Sequence, residues 1–229
     1  MFSLGKTTIY YHVRKKFGRK LKPLKMNLFN KEILGEFLGL FAGDGYFNFD
    51  EENYKYRIIF FLSINEKLIL KRLRRILFVL FGKYPNVQLD DYNHLYRVVL
   101  YGKQIYPLLK EFLEWEGKRS QTIRLKKSSF SEKALLKGFI RGLINSDGSV
   151  YVKKSRLSFG SISKKMITQC SGILKSLEIE HKVYRSSSKN RKEFHFIVIE
   201  GVDKVKKFDR TIGLICSEKQ KKIEKILRQ

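Results

Sequence analysis

The chain has 229 residues, 43% of them apolar and 14% aromatic, and a formal net charge of +26. This is enough apolar matter for one domain or two fused halves around a sizeable core, and it excludes a disordered chain. The charge points to a polyanionic partner, with nucleic acid foremost. Because the basic residues are spread along the whole chain rather than along one amphipathic helix, a membrane-surface protein is not expected.

There is no apolar run of 18 residues, so no transmembrane span is expected, and no secretory signal is visible. Cys170 and Cys216 are too few for a disulfide framework or a zinc site and read as core thiols in a reducing compartment. His12, His94, His181 and His195 are scattered, without metal-ligand spacing.

Residues 1–27 form a basic N-terminal arm with eight Lys/Arg and no Asp or Glu. Its segment GKTTIYYHVRKKFGRK predicts a short basic helix capped by Thr7 or Thr8, and Pro23 ends the arm. A polar start followed by basic residues suits a DNA recognition helix, although the rest of a helix-turn-helix is missing; the other reading is a solvated arm. An Arg-rich, acid-free start also has the composition of a mitochondrial presequence.

The first half-domain spans residues 28–116. Apolar spacing predicts a helix from Lys31 to Gly43, stopped by Asp44-Gly45. Alternating residues from Tyr46 to Asp50 predict a half-buried strand, and a second follows from Tyr54 to Leu62. A helix from Asn65, its expected cap, to Phe81 is broken by Gly82 to Pro85. Strands at Asn86–Asp90 and Leu95–Leu100 and a helix over Lys103–Trp115 complete this half.

Residues 117–131 are basic, Ser-rich and aperiodic and read as a linker. The second half-domain, residues 132–229, then repeats the order. It has a helix over Glu132–Ser146, strands at Ser149–Lys153 and Ser155–Ser161, a helix over Lys164–Leu177, strands at His181–Arg185 and Glu193–Ile199, and helices starting near Val202 and Ser217. The fold class is therefore α+β, with two pseudo-symmetric αββαββα halves.

Two stretches organise this repeat. FLGLFAGDGYFNF (Phe37–Phe49) and FIRGLINSDGSVYV (Phe139–Val152) each run an apolar helix into Asp-Gly and then into a strand. Gly35, Gly39 and Gly43 recur every four residues, and Gly138, Gly142 and Ser146 answer them. A helical glycine costs about 1 kcal/mol relative to alanine. A stripe of them on one face predicts two helices in unusually close contact, carrying Asp44 and Asp147 side by side at their ends. Adjacent carboxylates at the negative ends of helices invite a cation, hard oxygen donors select Mg²⁺ or a similar ion, and paired metals suit in-line phosphodiester displacement. Elsewhere, FLSINEKL (Phe61–Leu68) parallels FGSISKKM (Phe159–Met166).

On these residues the sequence resembles the LAGLIDADG homing endonucleases, in the single-chain form with two motifs. Phe37–Gly45 is one copy and Ile140–Gly148 the other, and the likeness extends to Arg119–Leu125 and to IGLICSEKQKKIEKI near the end. The resemblance implies antiparallel, saddle-shaped sheets over the DNA major groove and a metal site of Asp44 and Asp147, with the carbonyls of Gly43 and Ser146. It implies two or three divalent cations, Mg²⁺ with Mn²⁺ or Ca²⁺ as substitutes, and a double-strand break with 3′ overhangs at a long site. Lys118 and Lys219 lie where the family places a lysine near the scissile phosphate. Ser63 and Ser161 stand where it often has a residue that organises water; as serines they suit capping equally well.

For base reading, the outward strand residues are the candidates: Tyr46, Asn48, Ser149, Tyr151 and Lys153, with Lys55, Arg57, Arg97, Arg156, Arg185 and His195 beside them. The expected protein is a monomeric nuclease acting on double-stranded DNA, cytoplasmic in a prokaryote or organellar in a eukaryote. The alternative is an intron RNA maturase or a non-catalytic DNA-binding regulator on the same fold. An intein is not expected, since Met1 supplies no splicing nucleophile and the chain closes on Leu-Arg-Gln.

Overall fold

The computed structural model describes residues 6–17, 23–188, 191–215 and 217–229; Cys216 thus lies outside the described residues, as do residues 18–22 just before Pro23. Helix α1 (Lys6–Phe17) contains Thr7 and Thr8 within its first turn instead of using either as a cap. The body of the protein begins at Leu24, which fills the space a side chain on Gly102 would need. Asn27 then donates its N–H to Leu80 O at 2.8 Å.

The first half runs α2 (Lys31–Gly43), β1 (Gly45–Asp50), β2 (Lys55–Ser63), α3 (Lys67–Phe81), β3 (Asn86–Asp90), β4 (Leu95–Tyr101) and α4 (Ile105–Phe112). The Asn30 side chain caps α2 by accepting from Ile33 N at 3.0 Å. Asn65 does not cap α3: that position is held by Glu66, whose carboxylate turns back to accept the Ser63 N–H at 2.9 Å. Gly82, at φ +63°, closes α3 in the left-handed conformation that glycine adopts without strain. The four strands form an antiparallel sheet in the order β1-β2-β4-β3.

Between the halves the chain is not a loose linker. Strand β5 (Leu113–Glu114) pairs with β6 (Arg124–Leu125), a one-turn helix α5 (Arg119–Thr122) lies between them, and a 3₁₀ helix covers Lys127–Ser131. Gln169 brackets Leu125 with its side-chain amide, accepting the backbone N–H at 3.0 Å and donating to the carbonyl at 2.9 Å. Ile123 and Leu125 are buried. Elements of two to five residues are too short to show a period, which is why their order is invisible in the sequence.

The second half runs α6 (Lys133–Asp147), β7 (Ser149–Tyr151), β8 (Arg156–Ser161), α7 (Lys164–Ser176), β9 (Lys182–Ser188), β10 (Arg191–Glu200), α8 (Val202–Thr211) and α9 (Glu218–Leu227). Its sheet order, β7-β8-β10-β9, repeats the first position by position. Strand β7 is shorter than expected, because Val152–Lys154 winds into a 3₁₀ turn and Ser155 takes φ +43°. Ser163 and Ser217 cap α7 and α9, accepting from Met166 N and Gln220 N. Among the described residues, no helix is long and apolar enough to cross a membrane.

Helices α2 and α6 join the halves through their small residues. A Cβ on Gly35 would sit 2.0 Å from Leu135 O, one on Gly39 2.2 Å from Phe139 O, and one on Gly142 2.3 Å from Glu36 O. These are backbone contacts, so no side-chain rearrangement relieves them, and only glycine permits this approach. Nearer the middle of the two helices, charge also crosses the seam. Glu36, fully buried, accepts from Arg72 through both oxygens (2.9 and 2.5 Å) and lies 3.6 Å from Arg141. Arg141 pairs further with Glu32 at 2.5 Å and donates to the carbonyls of Ile212 and Gly213. Glu36 and Arg141 are thus charged residues buried in the seam.

Candidate active site

At the C-terminal end of the same helix pair stand the two aspartates. Asp44 is the C-cap of α2 and donates its backbone N–H to Leu40 O and Phe41 O; Asp147 is the last residue of α6. Gly43 lies against Ser146 and Asp147: a Cβ there would be 2.1 Å from Ser146 Oγ and 2.9 Å from Asp147 Oδ2. The glycine stripe thus brings one motif's backbone against the other motif's carboxylate.

Neither helix carries a basic residue in its last turn. The compensation comes from outside. Arg119 donates to Phe41 O at 2.6 Å, with its guanidinium 4.9 Å above the Phe41 ring. The Lys219 ammonium donates to Ile144 O, Asn145 O and Ser146 O at 2.9, 2.7 and 2.9 Å. Cations at helix C-termini offset the dipole, and both also act on the acids. Burial first, then the charges of Asp147 and Glu66, push the Asp44 carboxyl up to about 6, against the pull of Lys219 and Arg119. Burial raises Asp147 as well, against the same two cations, and lowers Lys219. Both aspartates keep exposed edges, so water screens part of this crowding and an ion can reach them.

Sequence position singles out Lys118 and Lys219. Lys219 reaches the motif ends, but the Lys118 side chain is exposed and its neighbour Arg119 is the residue that contacts α2. Glu66 does not stand out in the sequence. It is the second acid acting on Asp44, after Asp147, and its only sequence signal is that it aligns with Lys164 in the internal repeat. Ser63 and Ser161 both end strands and accept from backbone N–H groups two residues on (Asn65 and Ser163), the turn-capping use.

The donor set fits a hard divalent cation: two accessible carboxylates held together at negative helix ends, beside the carbonyls of Gly43 and Ser146. Among the described residues, no cluster of three or more His, Cys, Asp or Glu forms a cage. The Ser146 carbonyl already accepts from Lys219.

Sheet register decides which strand residues share the outer face. Cross-strand pairs Asn48↔Arg57, Asp50↔Lys55 and Phe61↔Arg97 put Tyr46, Asn48, Lys55, Arg57 and Arg97 together on one face. In the second sheet Ser149↔Ser158 and Tyr151↔Arg156 put Ser149, Tyr151 and Arg156 on one face, and these three line a groove with Asp147. Lys153 is exposed in the 3₁₀ turn rather than in a strand. Arg185 and His195 pair with each other and, through His195↔Ser161, fall on the opposite parity. His195 is 8% exposed and 3.3 Å from Glu193, and Arg185 extends into solvent toward the same acid. These two are not part of the groove face.

A family model described as a LAGLIDADG-like domain matches residues 134–213, most of the second half. Among solved structures, the chain is similar to mesophilic variants of the homing endonuclease I-DmoI, with 18% identity, TM-score 0.59, and coverage of 80% of this chain and 96% of that one. I-DmoI in complex with DNA and Ca matches at 19% identity and TM-score 0.59, over 80% of this chain and 89% of that one. Full-length DUF199/WhiA from Thermatoga maritima matches at 16% identity and TM-score 0.56, over 87% of this chain and 60% of that one. At such identities the likeness is one of fold, and it spans both halves.

Among curated proteins, a probable translation initiation factor IF-2 of Methanocaldococcus jannaschii is 28% identical over 127 residues, 53% of this chain and 11% of that protein. The ATP-dependent DNA helicase Hel308 of the same organism is 29% identical over 100 residues, 39% of this chain and 8% of that protein. The chain therefore spans about a tenth of the length of the curated relatives it matches.

Proposed function

From the LAGLIDADG-like domain matched over residues 134–213 and the fold shared with I-DmoI, we propose that the chain is a LAGLIDADG protein and a site-specific, Mg²⁺-dependent DNA endonuclease that makes a double-strand break with 3′ overhangs at a long recognition site, as in intron homing. The observation that carries this reading is the pairing of Asp44 and Asp147 at the ends of two helices in backbone contact, beside sheet faces bearing Arg57, Arg97 and Arg156. Asp44 and Asp147, with the Gly43 and Ser146 carbonyls, would hold the divalent cations. A cation there polarises the scissile phosphate and activates water. Arg119 and Lys219 hold the two helix ends in place and balance their charge. Tyr46, Asn48, Lys55, Arg57, Arg97, Ser149, Tyr151 and Arg156 contact the duplex, and exposed Lys118 and Lys153 suit phosphate contacts. Each half would act on one strand, so a monomer suffices.

A second reading is a non-catalytic binder of DNA or intron RNA. Lys219 favours it, because its ammonium already sits on the Ser146 carbonyl, one of the expected metal donors. Genomic context separates the two. If the reading frame interrupts an intron, a plasmid carrying the joined flanking exons is linearised in Mg²⁺ and not in EDTA. Retention of that plasmid uncut under both conditions supports the binder.

A further inference from the structure

The two outer sheet faces differ in chemistry. The first carries the exposed rings of Tyr46 and Phe61 set among Asn48, Lys55, Arg57, Gln88 and Arg97, hydrogen-bonding groups already linked in pairs: Arg57 Nε donates to Asn48 Oδ1 at 2.7 Å, and Arg97 donates to Gln88 Oε1 at 3.4 Å. On the second, Arg156 is tied up. It gives both Nε and a terminal nitrogen to Glu200 Oε1, at 3.0 and 2.7 Å. The rest of that face holds Ser149 and Ser158, Lys182 opposite Val198, and a set of aromatic rings. Counting by twos from Glu200, β10 puts Val198, Phe196 and Phe194 there, and β9 puts Tyr184 opposite Phe196.

These rings form a row. Phe196 lies between Tyr184 and Phe194, with centroids 5.5 and 6.3 Å away and planes within 27° of parallel. Gly160 makes room for it, since a Cβ there would be 2.6 Å from the Phe194 ring. Even so, Phe194 and Tyr184 stay 42% and 43% exposed. Phe194 and Phe196 line the same groove as Asp147, and Lys154 stands at its rim. An exposed aromatic row continuous with a metal-type carboxylate, in a chain of charge +26, faces a polyanion with apolar features in its groove. Duplex DNA supplies these as thymine C5-methyl groups in the major groove. Unpaired bases would need an open ring face to stack on, and Phe196 already has Tyr184 and Phe194 as ring neighbours.

We propose that the two halves read their target by different chemistry: the second sheet, through Phe194, Phe196 and Tyr184, selects thymine methyls in its half-site, whereas the first reads by hydrogen bonds. This rests on the DNA-binding part of the proposed function. The test starts from a randomised duplex pool. Duplexes retained in EDTA are sequenced, and deoxyuridine, which lacks only the methyl, then replaces thymidine in one half of the recovered site at a time. Substitution in one half should weaken binding roughly fourfold per contacted methyl and leave the other half unaffected. Phe194→Ala, or Tyr184→Ala on the edge strand should the first not fold, should abolish the thymidine–deoxyuridine difference in that half alone.

Equal tolerance of deoxyuridine in both halves overturns the proposal while leaving the nuclease reading intact, and so does an unchanged difference in the variants. Preferential retention of single-stranded RNA on the same aromatic residues overturns it in favour of base stacking. Failure to retain any duplex overturns the DNA reading itself, and this inference with it.

Discussion

The α2–α6 pair has two ends built to opposite rules. Upstream of the aspartates, Glu36, Arg72, Arg141 and Glu32 are interlocked with carbonyls of the loop after α8, and each of these charges faces a counter-charge. Where the helices finish, Asp44 and Asp147 crowd each other, Asp44 is pushed up to about 6, and the buried Asn145 amide has no hydrogen-bond partner among the described residues. A fold that neutralises buried charge so fully at one end leaves the acids at the other only partly offset by Lys219 and Arg119. Undercompensated acids of this kind mark functional sites.

The seam itself gives the largest expected effect. Gly142→Ala places a Cβ 2.3 Å from Glu36 O and 2.6 Å from Leu40 N, so the helices must separate along their length. A loss of about 5 kcal/mol is expected from urea unfolding, at the extreme of single substitutions. Next, Glu36→Gln leaves the guanidiniums of Arg72 and Arg141 beside a neutral amide, and roughly 3 kcal/mol should go with it. If this variant unfolds like the wild type, the charged end is not the closed structure described.

The acidic end should respond with the opposite sign. Asp44 titrates near 3.8 when unfolded and about 6 when folded. Its charged form therefore destabilises the fold at neutral pH; the penalty is absent below 3.8, grows as pH rises and is complete above 6. Asp44→Asn should stabilise the metal-free protein at pH 7 by on the order of 1 kcal/mol once solvent screening is allowed for. The difference from wild type in parallel denaturation curves should shrink as pH falls from 6 toward 3.8. The smallest effect contrasts with the seam glycines. A methyl group added at Gly172, inside α7, would have nothing within 4 Å, so Gly172→Ala should raise stability by about 0.5–1 kcal/mol.

Much of this was legible in the chain. The spacing of Gly35, Gly39 and Gly43 against Gly138, Gly142 and Ser146 announces two helices in backbone contact, and Asp-Gly marks where they stop. The strands of the first half follow from alternation, and the register puts Tyr46, Asn48, Lys55, Arg57 and Arg97 on one face. Arg185 and His195 went astray because one residue of register flips a side chain to the other face. Arg119, Glu66 and the Glu36 network were hidden for a different reason. Each acts across more than 20 residues of sequence, where charge spacing carries no information about partners.

The nuclease reading stands or falls on whether Asp44 and Asp147 together hold the cation that cuts DNA. The most direct measurement uses a duplex recovered by binding, incubated in Mg²⁺ with the wild type, with Asp44→Asn and with Asp147→Asn, while affinity is followed in EDTA. Two-strand cleavage by the wild type alone is expected, with affinity nearly unchanged in both variants. Cleavage by either variant at the wild-type rate would contradict a shared metal site.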